Sequence, residues 1–240
     1  MENRAAPSLA DHYAAAIDWW RGAGVDCDFV DEAENWLAEP EQAAPVQSPE
    51  APAAAVEVPH EPAIRQADLP DDLAQFRAWW TDPASPLPAG PGPRVAPRGE
   101  AGAALMLLST MPEESDADTL FGGVHGALLA NICRALGVAP DDAYFASALP
   151  CHLPHPDWDS ARAEGLGSAL SHHVALARPQ KVILFGNDLP PLLGADEGAP
   201  EAFRAIGDLP VLTTFAPDKL LGHARQRARL WHRLLEWTAQ

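Results

Sequence analysis

Four short stretches of this 240-residue chain hold residues whose types and spacing could do chemistry. The stretch STMPEESDADTLFGGVHGALL (109–129) brings Glu113, Glu114, Asp116 and Asp118 close to a glycine-punctuated segment with Phe121, Gly123 and Gly126. The plain reading of these acids is a solvated loop. Gly123 and Gly126 suit a close backbone approach to a ligand at the start of a helix. The stretch SALPCHLPHPDWD (147–159) offers Cys151, His152 and His155, a Cys/His group with no second pair to complete a metal site. His172 and His173 are adjacent, so a helix cannot turn both toward one ligand. The segment HARQRARLWHRLLEW (223–237) carries Arg225, Arg227, Arg229 and Arg233, the one basic patch in a chain of formal net charge −18. It is read as a solvated or salt-bridged helix face, or as a DNA-backbone contact.

The elements that must position these residues follow from hydrophobic pattern. The runs AALMLLS (103–109), AYFASAL (143–149), KVILFG (181–186) and PVLTTF (210–215) read as buried strands. Helical patterns lie between them near 124–136, 160–177 and 199–206, with a last one near 222–238. Continuous apolar strands alternating with helices predict a parallel sheet covered on both faces. The expected fold is a three-layer α/β/α arrangement around a four-stranded parallel sheet. Ligands in such sheets bind beyond the carboxyl ends of the strands, which places the chemistry at 109–126, 147–159, 186–191 and 214–221.

Upstream, residues 9–38 read as helical, with Gly22 and Gly24 ending the first helix. Residues 39–66, rich in Pro, Ala and Glu, cannot bury a core and read as a disordered linker. LPDDLAQFRAWW (69–80) reads as a helix capped by Asp71 or Asp72, with Leu73, Phe76, Trp79 and Trp80 on one face. The expected organisation is an N-terminal helical extension over 1–38, the linker over 39–66 and an α/β domain over 67–240. No run approaches the ~18 apolar residues of a membrane span, and the start of the chain has no apolar core after a basic segment. Both point to a cytoplasmic protein without membrane contact. Cys27, Cys133 and Cys151 are few and far apart, as reduced thiols would be.

Taken in order, these motifs resemble those of family 4-type uracil-DNA glycosylases of the alphaproteobacterial type. WWRGAGVD (19–26) is similar to that group's WYxxAGVD opening. LMLLSTMPE (105–113) stands where the group has GEAPG, and LFGGVHGALL (120–129) matches PFVGxxGxLL. SALPCHLP (147–154) is similar to N-x-x-x-(K/W)-(C/R)-P-P, and TFAPDKLL (214–221) to HP(S/A)YLL. The resemblance covers residues 9–30 and about 69–240.

It implies an enzyme that flips a uracil nucleotide out of DNA and cleaves its glycosidic bond through a cationic sugar. It also implies which positions carry that work, and they depart from the pattern. The base-stacking aromatic falls on Phe121, with Gly123 and Gly126 beside it. The amide that reads the uracil edge falls on Ser147, whose hydroxyl cannot offer a paired donor and acceptor. The carboxylate falls on Thr110 and the leaving-group histidine on Ala216. The DNA-entering loop falls on Pro217, Leu220 and Leu221, followed by Arg225 and Arg227. The group's four cluster cysteines are not matched: Cys151 lies near one such position, Leu166 occupies another, and no cysteine lies between 28 and 132. An iron–sulfur cluster needs four such ligands, so no cofactor and no metal are expected. The reading is a degenerate, catalytically inactive relative that acts as a binding or regulatory module for a protein partner, with weak or no DNA binding. The alternative is a repair glycosylase for uracil or another damaged base, with relocated catalytic groups drawn from Glu113, Glu114, Asp116 or Asp118.

Overall fold

The computed structural model describes residues 8–22, 61–195 and 204–238. The chain divides into two units, 1–56 and 57–240.

In the first unit, helix α1 (Leu9–Gly22) begins where the Ser8 backbone N–H and hydroxyl both donate to Asp11, at 2.8 and 2.7 Å. Those bonds hold the Asp11 carboxyl below its ordinary pKa. None of the helix side chains is buried, and Leu9, Tyr13, Trp19 and Trp20 are all exposed. The expected second helix through DEAENWL, Cys27 and most of the 39–66 linker lie outside the described residues.

In the second unit, the last residues of that expected linker are tied down. Ile64 is buried, its N–H donates to the Glu164 carbonyl at 2.9 Å, and the Ala63 N–H donates to the Glu164 carboxylate at 3.0 Å. Helix α2 (Leu73–Thr81) is capped by Asp72, which accepts the Gln75 N–H at 2.8 Å, and it buries Phe76 and Trp80. Along the chain come β1 (Met106–Ser109), α3 (Val124–Ala135), β2 (Tyr144–Ser147), α4 (Trp158–Ala163), α5 (Leu166–Ala177), β3 (Val182–Phe185), α6 (Leu189–Leu192), β4 (Ala205–Ile206), β5 (Leu209–Thr214), α7 (Pro217–Gly222) and α8 (Ala224–Thr238).

The sheet has five strands in the order β2-β1-β3-β5-β4. Four are parallel, as expected, and β4 is an antiparallel edge strand on β5. The sequence pattern predicts a helix at 199–206, and its end is instead this strand; residues 199–203 lie outside the described residues. The reason is the Gly207-Asp208 pair, with Gly207 at φ 59°, which turns the chain back so that Ile206 faces Leu209. The helix expected over 160–177 is two helices, broken at Gly165, whose φ is 92°. The helix expected near 222–238 is preceded by α7 and begins at Ala224.

Successive strand residues point to opposite faces of a sheet, and two separate cores result. Met106, Leu108, Tyr144, Val182, Leu184 and Val211 pack with α2, α4, α5 and α6. Leu107, Phe145, Ile183, Phe185 and Leu212 pack with α3, α7 and α8. Among the described residues no helix is long and apolar enough to cross a membrane.

His173 is enclosed in the first of these cores. Its Nε2 lies 2.8 Å from the Tyr144 hydroxyl and its ring stacks on Phe76 at 4.6 Å, while Nδ1 is buried without a partner. His172 points elsewhere, its Nε2 lying 2.7 Å from the Pro70 carbonyl. Burial, with Arg77 and His172 adding like charge, pushes the His173 pKa down to about 3 from 6.5. The folded pKa lies below the unfolded one, so the unfolded chain takes up the proton first. The contribution of His173 is complete above about pH 6.5 and is lost as pH falls toward 3. We expect this one residue to cost stability at about 1.4 kcal/mol per pH unit in that window. Urea unfolding of the parent and of His173→Gln at several pH values checks it; equal pH slopes for both would remove the assignment.

Candidate functional site

The parallel register sets Ser147, Ser109, Phe185 and Thr214 side by side at the carboxyl edge of the sheet. The loops that leave these four strand ends therefore share one rim.

The loop after β1 is organised by two acids. Asp116 is 5% exposed; one carboxylate oxygen accepts the N–H groups of Glu113 (2.9 Å) and Phe121 (2.7 Å), and the other accepts that of Gly122 (2.9 Å). Glu113 is 7% exposed, and its Oε1 accepts the N–H groups of Gly123 (3.1 Å) and Gly126 (3.0 Å) at the start of α3. A helix N-terminus leaves such N–H groups without partners and favours a negative charge there. Here the protein fills that anion position with its own side chain. The solvated acidic loop expected from sequence thus holds only for Glu114 and Asp118, which are exposed.

The glycines serve the same internal packing. A Cβ at Gly126 would lie 1.7 Å from the Phe121 carbonyl oxygen, and one at Gly123 would lie 2.5 Å from Glu113 Oε2. The close approach expected for a ligand is made by the chain itself. Phe121 adopts a left-handed backbone, φ 54°, and its side chain packs in the α3 core at 3% exposure. Ser147 is 2% exposed, and its hydroxyl donates to the Leu149 carbonyl at 2.7 Å.

A cleft of about 660 Å³ opens at the rim between the ends of β1 and β5. Thr110 and Ala216 meet on its wall, together with His125, His152, Glu114 and Asp218. Phe121 and Ser147 are not on that wall. Of the four positions that the resemblance assigns to catalysis, two come together and two are withdrawn into the core. Sequence pattern alone missed His125 as a cleft residue and offered His152 only as a metal ligand. The signal for His125 was its place in the first turn of the helix that begins after Gly122-Gly123. The ring of His152 is held by its Nδ1, 3.1 Å from the Pro112 carbonyl.

A second cavity, of about 410 Å³, lies at the ends of β3 and β5 and shares Ala216 with the first. Gly186, at φ 128°, stands at its edge. A Cβ there would be 2.5 Å from the Thr110 methyl carbon, so Thr110 packs against the backbone at this point.

The segment that the resemblance places in DNA is divided. Pro217 and Leu220 are buried, while Leu221 and Arg225 are exposed. Arg227 donates to the carbonyls of Leu220 (2.7 Å) and Leu221 (2.8 Å), which satisfies the end of α7. Arg233 donates to the Thr213 carbonyl.

Two of the three thiols, Cys133 and Cys151, lie among the described residues. Cys133 is buried in the α3 core, and burial pushes its pKa up to about 11. Cys151 is buried beside Gly90, with burial again raising its pKa. Leu166 is fully buried among apolar side chains. Among the described residues no three His, Cys, Asp or Glu side chains gather into a metal-holding group, Cys151, His152 and His155 included.

A search of curated proteins finds no match to the chain. The family model of the uracil DNA glycosylase superfamily matches residues 96–237. That span runs from just before β1 through α8, and so takes in the whole sheet and both cavities on its carboxyl edge. It exceeds half of the chain, and the chain belongs to the uracil DNA glycosylase superfamily.

Proposed function

We propose that this protein is a family 4-like member of the superfamily that has lost uracil excision and works as a binding or regulatory module. The observation that carries the reading is the withdrawal of Phe121 and Ser147 from the cleft where Thr110 and Ala216 meet. A base entering that cleft would find neither the phenylalanine nor a paired amide. It would also find no carboxylate at residue 110 and no imidazole at residue 216. Each well-placed electrostatic group is worth roughly 10²–10³ in rate.

A protein partner is the occupant this reading favours. On α8, Trp231 and Leu235 are one helical turn apart, at 42% and 67% exposure. Large exposed apolar side chains grouped in this way mark interaction surfaces. A net charge of −18 opposes DNA at long range, and of the five assigned contact residues only Leu221 and Arg225 are exposed.

A second reading keeps activity with relocated groups. It is favoured by His125 and His152 facing the same cleft as Glu114, since an imidazole is the usual donor to a departing base. Single-turnover incubation of excess protein with uracil-containing single- and double-stranded DNA separates the two. We expect no uracil release above background. Release that His125→Ala or His152→Ala abolishes would replace the first reading with the second.

A further inference from the structure

We propose that the cavity at the ends of β3 and β5 is a binding site for a nucleoside monophosphate, separate from the cleft at Thr110 and independent of whether that cleft excises uracil. Asn187, Asp188, Phe215, Lys219, His223 and Gln226 line it. It sits beyond the carboxyl ends of parallel strands, where open α/β sheets hold ligands. Its volume of about 410 Å³ is within the range of small-molecule sites, about 300–1,000 Å³.

The polar groups here contrast with those around the loop after β1. Glu113, Asp116 and Ser147 are spent on the backbone. Among the described residues, the side chains of Asn187, Asp188, His223 and Gln226 form no hydrogen bond within the protein. Two free primary amides each offer a donor and an acceptor, which is the complement of a nucleobase edge. Half-buried Phe215 is an aromatic residue on which a planar ring can stack. Lys219 is exposed, and its nearest anion is Asp218 at 4.0 Å; with His223 it supplies cationic and N–H donors for a phosphate. Asp188 can accept from a base amino group or a ribose hydroxyl. The −18 charge of the chain disfavours a polyanion far more than a single phosphate, so a mononucleotide is the fitting ligand rather than a nucleic-acid strand.

Isothermal titration or saturation-transfer NMR of the full chain with AMP, GMP, CMP and dUMP tests this. The expected result is saturable binding of at least one nucleotide with Kd at or below about 1 mM, the weakest affinity such contacts would give. Asn187→Ala and Gln226→Ala each weaken it about tenfold. Lys219→Ala weakens the monophosphate about tenfold and leaves the matching nucleoside unchanged. All three side chains stand at or near the surface, and circular dichroism confirms that the variants fold. No saturable binding of any of the four, or binding that neither Asn187→Ala nor Gln226→Ala alters, would overturn the assignment.

Discussion

Asp116→Ala lowers the unfolding free energy by about 3–5 kcal/mol, the largest loss expected from any single exposed-looking acid in the sequence. One buried carboxylate serves three backbone N–H groups, those of Glu113, Phe121 and Gly122. A hydrogen bond to a charged group contributes about 1.5–3 kcal/mol, and a buried donor left without a partner costs about 1–3 kcal/mol. The three do not add in full, because the Gly122 N–H lies near the surface and can take water. What is lost besides is the restraint that holds Phe121 at φ 54°. A non-glycine residue keeps that conformation only when its surroundings impose it. Glu113→Ala, which frees two N–H groups, costs less, about 2–3 kcal/mol. Exposed Glu114→Ala stays within about 0.5 kcal/mol of the parent. Denaturant unfolding of the three variants side by side gives the ranking. A parent-like Asp116→Ala would show that the loop is held by something other than this carboxylate.

Those two acids also show where the sequence stops being legible. Strands and main helices could be read because burial on both faces writes itself as continuous apolar runs, and because Asp72 stands where a cap must stand. Three of the four runs overstate strand length by two or three residues: Ala103–Leu105 are apolar and mostly buried, yet only Met106–Ser109 is strand. The edge strand β4 escaped because two residues carry no periodicity, and only Gly207-Asp208 announced the turn. Glu113 and Asp116 read as solvent-facing because acids usually are. Nothing local says that five N–H groups converge on them; that depends on how the loop folds back onto α3. That Thr110 and Ala216 both lie beyond the carboxyl ends of parallel strands was readable from the alternation of strands and helices; that they share one cleft was not, since β3 lies between β1 and β5. The withdrawal of Phe121 and Ser147 was not, since it depends on side-chain direction. In Ser147 a hydroxyl with a free choice of partner took the carbonyl two residues ahead.

That arrangement bears on what a carboxylate and an imidazole placed in the cleft can do. In the double variant Thr110→Glu/Ala216→His, uracil release stays at background in a single-turnover assay with excess protein. Both substituted positions lie on the wall of the 660 Å³ cleft, so a carboxylate and an imidazole there can face one substrate. Each such group is worth roughly 10²–10³ in rate when the reacting atoms are held in place. Groups that act as a unit contribute little when another member of the unit is missing, and the missing members are those that hold the base. Phe121 is 3% exposed in the core, Ser147 donates to Leu149, and neither lines the cleft. Without them the glycosidic bond has no fixed position relative to either restored group, and the proximity on which both depend, worth up to about 7–11 kcal/mol in well-oriented systems, is not realised. The singles Thr110→Glu and Ala216→His are silent for the same reason. Uracil release by the double variant, well above that of both singles, would mean that the cleft orients a base by other side chains. His125 and His152 would then be the first to replace, and the loss of excision proposed for the parent would rest on charge alone.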